Sequence, residues 1–449
     1  MEEEETVTEF SLSKLKASLL PQQDSFEGEA SIELKKLIKS TLGWVFFIDN
    51  ESSLWRSGLS WSMFFLLTIC VPLVSHFVFA CSPSSSSGSR CDEDHSRPFD
   101  GIVQISLSLF AILSFLSLSS FTHKYGLRKF LFLDKLSHES QKVKQGYAQE
   151  IHRSMKILSA FVLPCFFADA AYKIWWFSSG GTQIPYFYNV YLSHTIACIL
   201  LMSSWLYRIS ISFLVCVLFQ LICFLQILRL EDFAQVFERD SDVASILLDH
   251  LSIRRNLRII SHRFRKFILF SLILVTGSQF VSLLRTTESR SIVDIFTAGE
   301  LALCSISLVT GLFICLRSAA KITHKAQSVT SLAAKWHVCS TINSFEEVEG
   351  DTPRSHAATD HVIYSLNNAY EETDSEEGDG DDAIDNTHFL PILHALSYQK
   401  RQALLTYFEH NRAGITVYGF MLDRSWLHTI FAIQLSLTLW ILNKTIGIH

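Results

Sequence analysis

The chain has 449 residues, with 38 Lys and Arg against 44 Asp and Glu, so its formal net charge is −6. Its mean hydropathy is +0.25, and a chain that is 18% charged rarely averages above zero when it is soluble. One large soluble core is therefore excluded. The charges avoid seven apolar stretches: 59–81, 101–121, 157–177, 190–228, 267–286, 297–316 and 425–446. Because about 20 apolar residues span the hydrocarbon core of a bilayer, the sequence predicts an all-α, polytopic membrane protein with seven transmembrane helices.

The first segment, 1–58, is predicted to be a cytosolic leader. It opens with an acidic run instead of the basic n-region of a cleavable signal peptide. Within it, 31–48 places apolar residues such as Leu34, Leu37 and Leu42 on one helical stripe beside three lysines. Such an amphipathic helix either lies on the inner leaflet or packs against other cytosolic helices, and the sequence leaves both interpretations open.

Transmembrane helices 1–6 and their connecting loops are predicted to occupy 59–345. The first outer loop contains Cys81 and Cys91 on either side of a run of serines. A Cys81–Cys91 disulfide is chemically permitted in an oxidising exterior, and the sequence leaves open whether it forms.

The fourth apolar stretch, 190–228, is long enough for either one extended helix or two spans. A reversal near Arg208 would contain no Gly, Pro or Asn to form its turn. With seven spans and a cytosolic N-terminus, 31 Lys and Arg lie inside and five outside, whereas splitting this stretch gives 18 and 19. The positive-inside rule therefore favours one long fourth helix that projects into the cytosol, with the C-terminus extracellular.

Ionisable groups within spans are costly, so each is a candidate functional residue. Asp169 and Lys173 are four residues apart on the third span and can pair on one helical face, while Arg208 is expected near the inner face. Two interpretations remain open for the groups at a common outer depth: an outward-opening pocket for a small-molecule ligand, or a polar clamp between helices. The candidate pocket residues are Asp169, Lys173, Trp175, Tyr191, His194 and Glu300.

Enzymatic function is not predicted, because the sequence contains no HExxH, GxSxG or P-loop motif. No metal and no cofactor are predicted either. The basic residues lie in short loops between spans instead of covering one domain, so a nucleic-acid partner is not predicted either.

The C-terminal part divides into three predicted segments. Residues 346–386 are rich in Asp and Glu and are predicted to form an acidic, disordered cytosolic insert. Residues 387–424 are predicted to hold a cytosolic helix over 398–411 that ends at a break at Ala413-Gly414. Residues 425–449 hold the seventh transmembrane helix and a short outer tail.

The last predicted span carries a partly polar stripe at spacings of three and four. The candidate pore residues on this stripe are Phe431, Gln434, Thr438 and Ile441. If several copies met around an axis, the oxygens of Gln434 and Thr438 would face a passing ion. Alternatively, these two side chains bond to neighbouring helices within one subunit.

The approach to the last helix, Gly414–Leu427, reads GITVYGFMLDRSWL. With the inverted seven-helix topology, this segment resembles the plant gustatory-receptor-like family of seven-helix membrane proteins, which is similar in architecture to insect gustatory and odorant receptors. The resemblance implies a tetrameric, ligand-gated, non-selective cation channel of the plasma membrane, with the last helix lining the pore. It also implies a small-molecule pocket in the outer halves of helices two to six, and subunit contacts at the cytosolic ends of helices four to seven. The alternative is a non-conducting membrane receptor or scaffold that signals through its cytosolic loops.

Overall fold

A computed structural model describes residues 54–79, 99–125, 141–179, 189–238, 243–288, 295–349 and 392–446. These residues form nine α-helices, two short strands and two brief non-α helical segments. The helices are α1 (Leu54–Phe65), α2 (Val71–Phe79), α3 (Asp100–Tyr125), α4 (Gln141–Ser178), α5 (Val190–Ala234), α6 (Val243–Glu288), α7 (Ile295–Glu349), α8 (Ile392–His410) and α9 (Arg424–Ile446). The strands are β1 (Thr416–Val417) and β2 (Phe420–Met421), a π-helical segment (Leu66–Cys70) joins α1 to α2, and a 3-10 segment (Gln235–Glu238) follows α5.

Within these ranges, seven helices are long and apolar enough to cross a membrane. They coincide with the seven predicted spans, so the prediction of a polytopic, mostly helical membrane protein is confirmed. The fourth stretch is one unbroken helix of 45 residues, α5, as the absence of turn residues around Arg208 predicted. The predicted helix over 31–48, the Cys81–Cys91 disulfide and residues 350–386 of the acidic insert lie outside the described residues.

The first membrane helix is continuous through its π-helical segment because other helices satisfy the carbonyls that this segment frees. The Val71 N–H donates to the carbonyl of Leu66, which is the π pattern, and the next residue, Pro72, has no N–H to donate. The hydroxyl of Ser204 in α5 donates instead to the Leu67 carbonyl at 2.6 Å. Such substitutes are required in a membrane, where no water is present to satisfy a freed backbone group.

The described residues divide into two compact units. The first takes in the described residues up to Asp232, Ser252–Ala326 and those from Ala413 onward, and the second takes in Phe233–Leu251 and the described residues of 327–412. In the first unit α5 is the central helix, because 83% of its most apolar stretch is buried, against 17% for α9. A helix that is apolar on every side is expected to occupy such a central position.

The second unit is held together by aromatic side chains. The Phe408 ring of α8 meets the His250 ring of α6 at 4.6 Å between centroids, and Phe237 meets Trp336 of α7 at 5.8 Å. Edge-to-face aromatic pairs of this kind add to the burial of apolar area. The helix predicted over 398–411 corresponds to α8, and Phe408 is its buried anchor.

The break predicted at Ala413-Gly414 is a β-hairpin, which the sequence analysis did not predict. Strands β1 and β2 pair with Val417 opposite Phe420, and the two residues between them, Tyr418 and Gly419, have φ values of 49° and 93°. Positive φ at both central residues defines a type I′ turn, which matches the twist of paired strands. The Ile415 N–H donates to the Thr323 hydroxyl of α7 at 3.0 Å, so the hairpin is attached to the helical bundle immediately before α9 begins.

Helix α9 begins with a side-chain cap. The Asp423 carboxylate accepts hydrogen bonds from the backbone N–H groups of Ser425 at 2.8 Å and Trp426 at 3.4 Å, which no carbonyl of the helix can satisfy. We expect Asp423→Ala to lower the free energy of unfolding by about 1 kcal/mol, measured by thermal unfolding of the purified protein. Asp423→Ser, which keeps a capping oxygen, is the control, and equal losses for the two variants would contradict the capping role.

Candidate functional site

Five charged residues from four helices meet inside the first unit, and we call them the charged cluster. They are Asp100 (α3), Asp169 and Lys173 (α4), Arg208 (α5) and Glu300 (α7). The first four are at most 7% exposed, and the Glu300 side chain is 11% exposed. Charges buried in this way are costly unless they are paired and hydrogen-bonded, so the contacts of each one decide what the cluster does.

Lys173 lies between two carboxylates. Its Nζ donates to Asp169 Oδ2 at 2.5 Å and lies 4.0 Å from Glu300 Oε1. The first contact joins adjacent turns of α4 on one face, as the i, i+4 spacing predicted. The second contact joins α4 to α7. One ammonium group therefore compensates two carboxylates and connects two membrane helices.

Arg208 is compensated differently, because it forms no salt bridge with any described residue. Its guanidinium donates to the carbonyl of Gln104 at 3.4 Å, to the hydroxyl of Ser108 at 3.3 Å and to the carbonyl of Ser204 at 3.3 Å. The carboxylates of Asp100, Asp169 and Glu300 attract it over a longer distance. Arg208 therefore holds α3 and α5 together through neutral oxygens.

Asp100 stands at the first residue of α3 and connects the cluster to α2. Its Oδ1 accepts a hydrogen bond from Gln104 Nε2 at 3.1 Å, and its Oδ2 lies 3.4 Å from Nδ1 of His76. The His76 side chain is 50% exposed, whereas that of Asp100 is 7% exposed. The contact thus lies where the cluster reaches the surface of the chain.

The six predicted pocket residues fall into two groups. Asp169, Lys173 and Glu300 come together as described above. The other three, Trp175, Tyr191 and His194, are not among the buried charges of the cluster. Trp175 is 38% exposed and Tyr191 is 84% exposed. The ring of His194 is partly buried at 6.0 Å from the ring of Phe177.

Two members of the charged cluster are not among the site residues predicted from the sequence. Asp100 directly precedes the predicted second span, which begins at residue 101. Arg208 was expected near the inner face and not among the groups at a common outer depth. It lies 18 residues beyond the start of α5 but reaches Gln104 and Ser108, which lie within the first nine residues of α3. A helix of 45 residues need not begin at the same depth as its neighbours, and no residue pattern reports that depth.

The predicted pore stripe of the last helix faces its own chain. The Nε2 group of Gln434 donates to the Thr276 hydroxyl of α6 at 2.6 Å, and the Thr438 hydroxyl donates back to the Gln434 carbonyl at 2.8 Å. The Phe431 ring packs 4.6 Å from the ring of Phe313 in α7, and Ile441 is fully buried. The sequence left open whether these side chains face an axis or bond within one subunit. The contacts that the structure shows for them lie within one subunit.

Chemically, the charged cluster offers three carboxylates, two fixed cations and the amide of Gln104 within an apolar bundle. These groups suit a polar or charged part of a ligand, because the low local dielectric strengthens each interaction. The same groups also join α4 to α7 through Lys173 and α3 to α5 through Arg208. Both interpretations of the pocket residues therefore stay open for the charged cluster.

Comparisons with known proteins include a similar solved structure and a family model. Among solved structures, the insect olfactory receptor OR5 from Machilis hrabei is similar at 11% sequence identity, over 92% of this chain and 99% of that chain, with a TM-score of 0.48. No curated protein matches the sequence. The family model DUF3537, described as a protein of unknown function, matches residues 33–433. Because that match covers most of the chain, the protein belongs to the DUF3537 family.

Proposed function

We propose that this membrane protein is a ligand-gated, non-selective cation channel of the chemosensory-receptor type. It resides in the plasma membrane as a homo-oligomer, a tetramer by the resemblance noted above. Its N-terminus is in the cytosol and its C-terminus is outside, following the distribution of basic residues. The observation that carries the proposal is the exposed face of α9.

Opposite the buried Gln434 stripe, α9 exposes small and polar side chains. Ser425, Thr429, Ala432, Ser436 and Asn443 recur at spacings of four, three, four and seven residues, and all five are exposed. Polar groups on the lipid-facing side of a membrane helix are unfavourable, because hydrocarbon offers them no hydrogen-bonding partner. A membrane helix with such a face is therefore expected to turn it toward water or toward another subunit.

When copies surround an axis, this exposed face supplies rings of uncharged oxygens. Hydroxyl and amide oxygens can replace part of the hydration shell of a passing cation without binding it too tightly to leave. The exposed Leu439 lies on the same stripe between Ser436 and Asn443 and would form an apolar ring in the path. The exposed Ile433 lies beside the stripe and would meet lipid or a neighbouring subunit. In this proposal the ligand binds at the charged cluster, and gating follows from its effect on the surrounding helices.

We expect Ser436→Lys to reduce cation flux through the reconstituted protein by about tenfold or more. One ammonium group per subunit would repel cations at the Ser436 ring. Flux is measured in liposomes containing the purified oligomer, across a panel of small organic ligands. Ser436→Met controls for side-chain length, and Thr438→Val, on the buried stripe, should leave the flux unchanged.

Two results would count against the channel. If Ser436→Lys leaves the cation flux unchanged in a folded, inserted oligomer, this face of α9 does not line the ion path. Absence of flux from the wild-type oligomer across the whole panel would favour the non-conducting receptor or scaffold instead. A stable monomer would have the same consequence, since one α9 cannot enclose a pore.

A further inference from the structure

One face of α6 stays exposed along most of the helix, and its second half is apolar. Phe270, Ile273, Phe280 and Leu284 are each at least 50% exposed, and they follow one another at the spacing of a helical stripe. A Cβ added at Gly277, which lies between them on the same stripe, would meet no atom within 4 Å. In a membrane-spanning helix, a face of this kind contacts lipid chains.

The first half of the same face is basic. Arg255, Arg258, His262 and Lys266 continue the stripe toward the start of α6, and all four are exposed. Arg255, Arg258 and Lys266 make no ion pair with any residue that the structure describes. The sequence contains no Asp or Glu between 250 and 287. These cations therefore lack an acidic partner on their own helix as well as elsewhere among the described residues.

The tip of the hairpin marks where the basic half meets the apolar half. The Arg265 guanidinium lies 5.3 Å from the centre of the Tyr418 ring, and the Phe420 and Trp426 rings lie 6.5 Å apart. All three aromatic side chains are at least 50% exposed. Exposed aromatic rings next to basic residues are typical of the membrane interface, where lipid headgroups lie.

We propose that this junction binds the headgroup of a phosphoinositide in the adjoining leaflet. The binding groups are Arg255, Arg258 and Lys266 along α6, with Arg265 and Tyr418 at the hairpin. Arginine and lysine side chains recognise phosphate groups through charge-assisted hydrogen bonds, and clusters of basic residues next to a membrane helix bind anionic lipids. The apolar stripe beyond Lys266 accommodates the acyl chains of the same lipid.

The length of the basic stripe favours a phosphorylated headgroup over a simple anionic one. Arg255 and Lys266 are 11 residues apart, which corresponds to about 16 Å along a helix. The headgroup layer of one leaflet is only about 5–7 Å thick. A headgroup that carries further phosphates beyond the glycerol phosphate extends toward Arg255 and Arg258. A serine headgroup, in contrast, meets only Arg265 and Lys266.

The test uses the full-length protein purified in detergent and a fluorescent, short-chain phosphatidylinositol 4,5-bisphosphate, followed by anisotropy. We expect Arg255→Gln with Arg258→Gln to weaken binding by about tenfold or more. The matched control is Arg317→Gln with Lys321→Gln, which removes two exposed positive charges from α7. The control pair should change the affinity by less than about twofold.

Several outcomes would overturn the proposal. Equal losses for the two pairs would show diffuse attraction by net charge instead of a site on α6. Equal affinity for a short-chain phosphatidylserine would show that the additional phosphates of the inositol ring are not required. Equally strong competition by free inositol trisphosphate would show that the acyl chains do not contribute to binding. If the α6 pair alters the oligomeric state in native mass spectrometry and leaves lipid affinity intact, the face is an interface between copies. None of these readouts depends on channel activity.

Discussion

Gly414→Ala is expected to destabilise the protein by about 1–3 kcal/mol, because the hairpin approaches α7 too closely for a side chain. A Cβ at this position would lie 2.8 Å from Cγ2 of Thr323 and 3.3 Å from Sδ of Met421. The Thr323 side chain cannot simply rotate away, because it is fully buried and its hydroxyl accepts the Ile415 N–H. The measurement is thermal unfolding of the purified protein, with the yield of folded oligomer as a second readout.

Two further variants make the Gly414 prediction specific. Thr323→Ser removes the methyl group that would clash and keeps the hydroxyl, so the double variant Gly414→Ala with Thr323→Ser should recover much of the lost stability. Gly277→Ala is the control for helix propensity, since nothing lies within 4 Å of its added Cβ, and it should be neutral or slightly stabilising. A Gly414→Ala protein as stable as Gly277→Ala, or a double variant no better than the single one, would contradict the close approach.

The membrane helices could be predicted from the sequence because burial in lipid imposes a simple pattern. A run such as 190–228 must satisfy its backbone internally, and without turn residues near Arg208 it could only continue as α5. The hairpin could not be predicted in the same way. Its strands have two residues each, too few for an alternating pattern, and Tyr418 occupies a turn position where Asn or Gly would have been the signal.

The charged cluster could be predicted only in part, because helical spacing reports neighbours on one helix and not contacts between helices. The pair Asp169 and Lys173 follows directly from i, i+4 spacing. The approach of Glu300 followed from its estimated depth, whereas the depth expected for Arg208 did not predict its contacts with the first turns of α3. The last helix shows the same limit, since periodicity placed Gln434 and Thr438 on one face without indicating whether that face meets its own chain or an axis.

Lys173→Met is expected to have the largest effect on stability, about 3–5 kcal/mol, because it leaves two carboxylates without their shared cation. Asp169 is 1% exposed, and α4 offers it no other basic partner on that turn. The matched control is Lys325→Met. Lys325 pairs with Glu231 at 3.3 Å, but the two side chains are 38% and 47% exposed. Exposed pairs contribute about 0–1 kcal/mol, so a Lys173→Met protein no less stable than the Lys325→Met protein would contradict the buried pair.

The double variant Asp169→Asn with Lys173→Met separates the two interpretations of the charged cluster. Removing both charges eliminates the unpaired Asp169 carboxylate, so this variant should be more stable than Lys173→Met alone, as heating followed by size-exclusion chromatography would measure. If the charges only hold the helices together, the double variant should recover its stability. Its ligand-evoked flux should then match that of the wild-type protein. A ligand site needs the charges themselves. In that case the double variant should fold yet require at least about tenfold more ligand for half-maximal flux, since a lost charge-assisted contact costs about 1.5–3 kcal/mol.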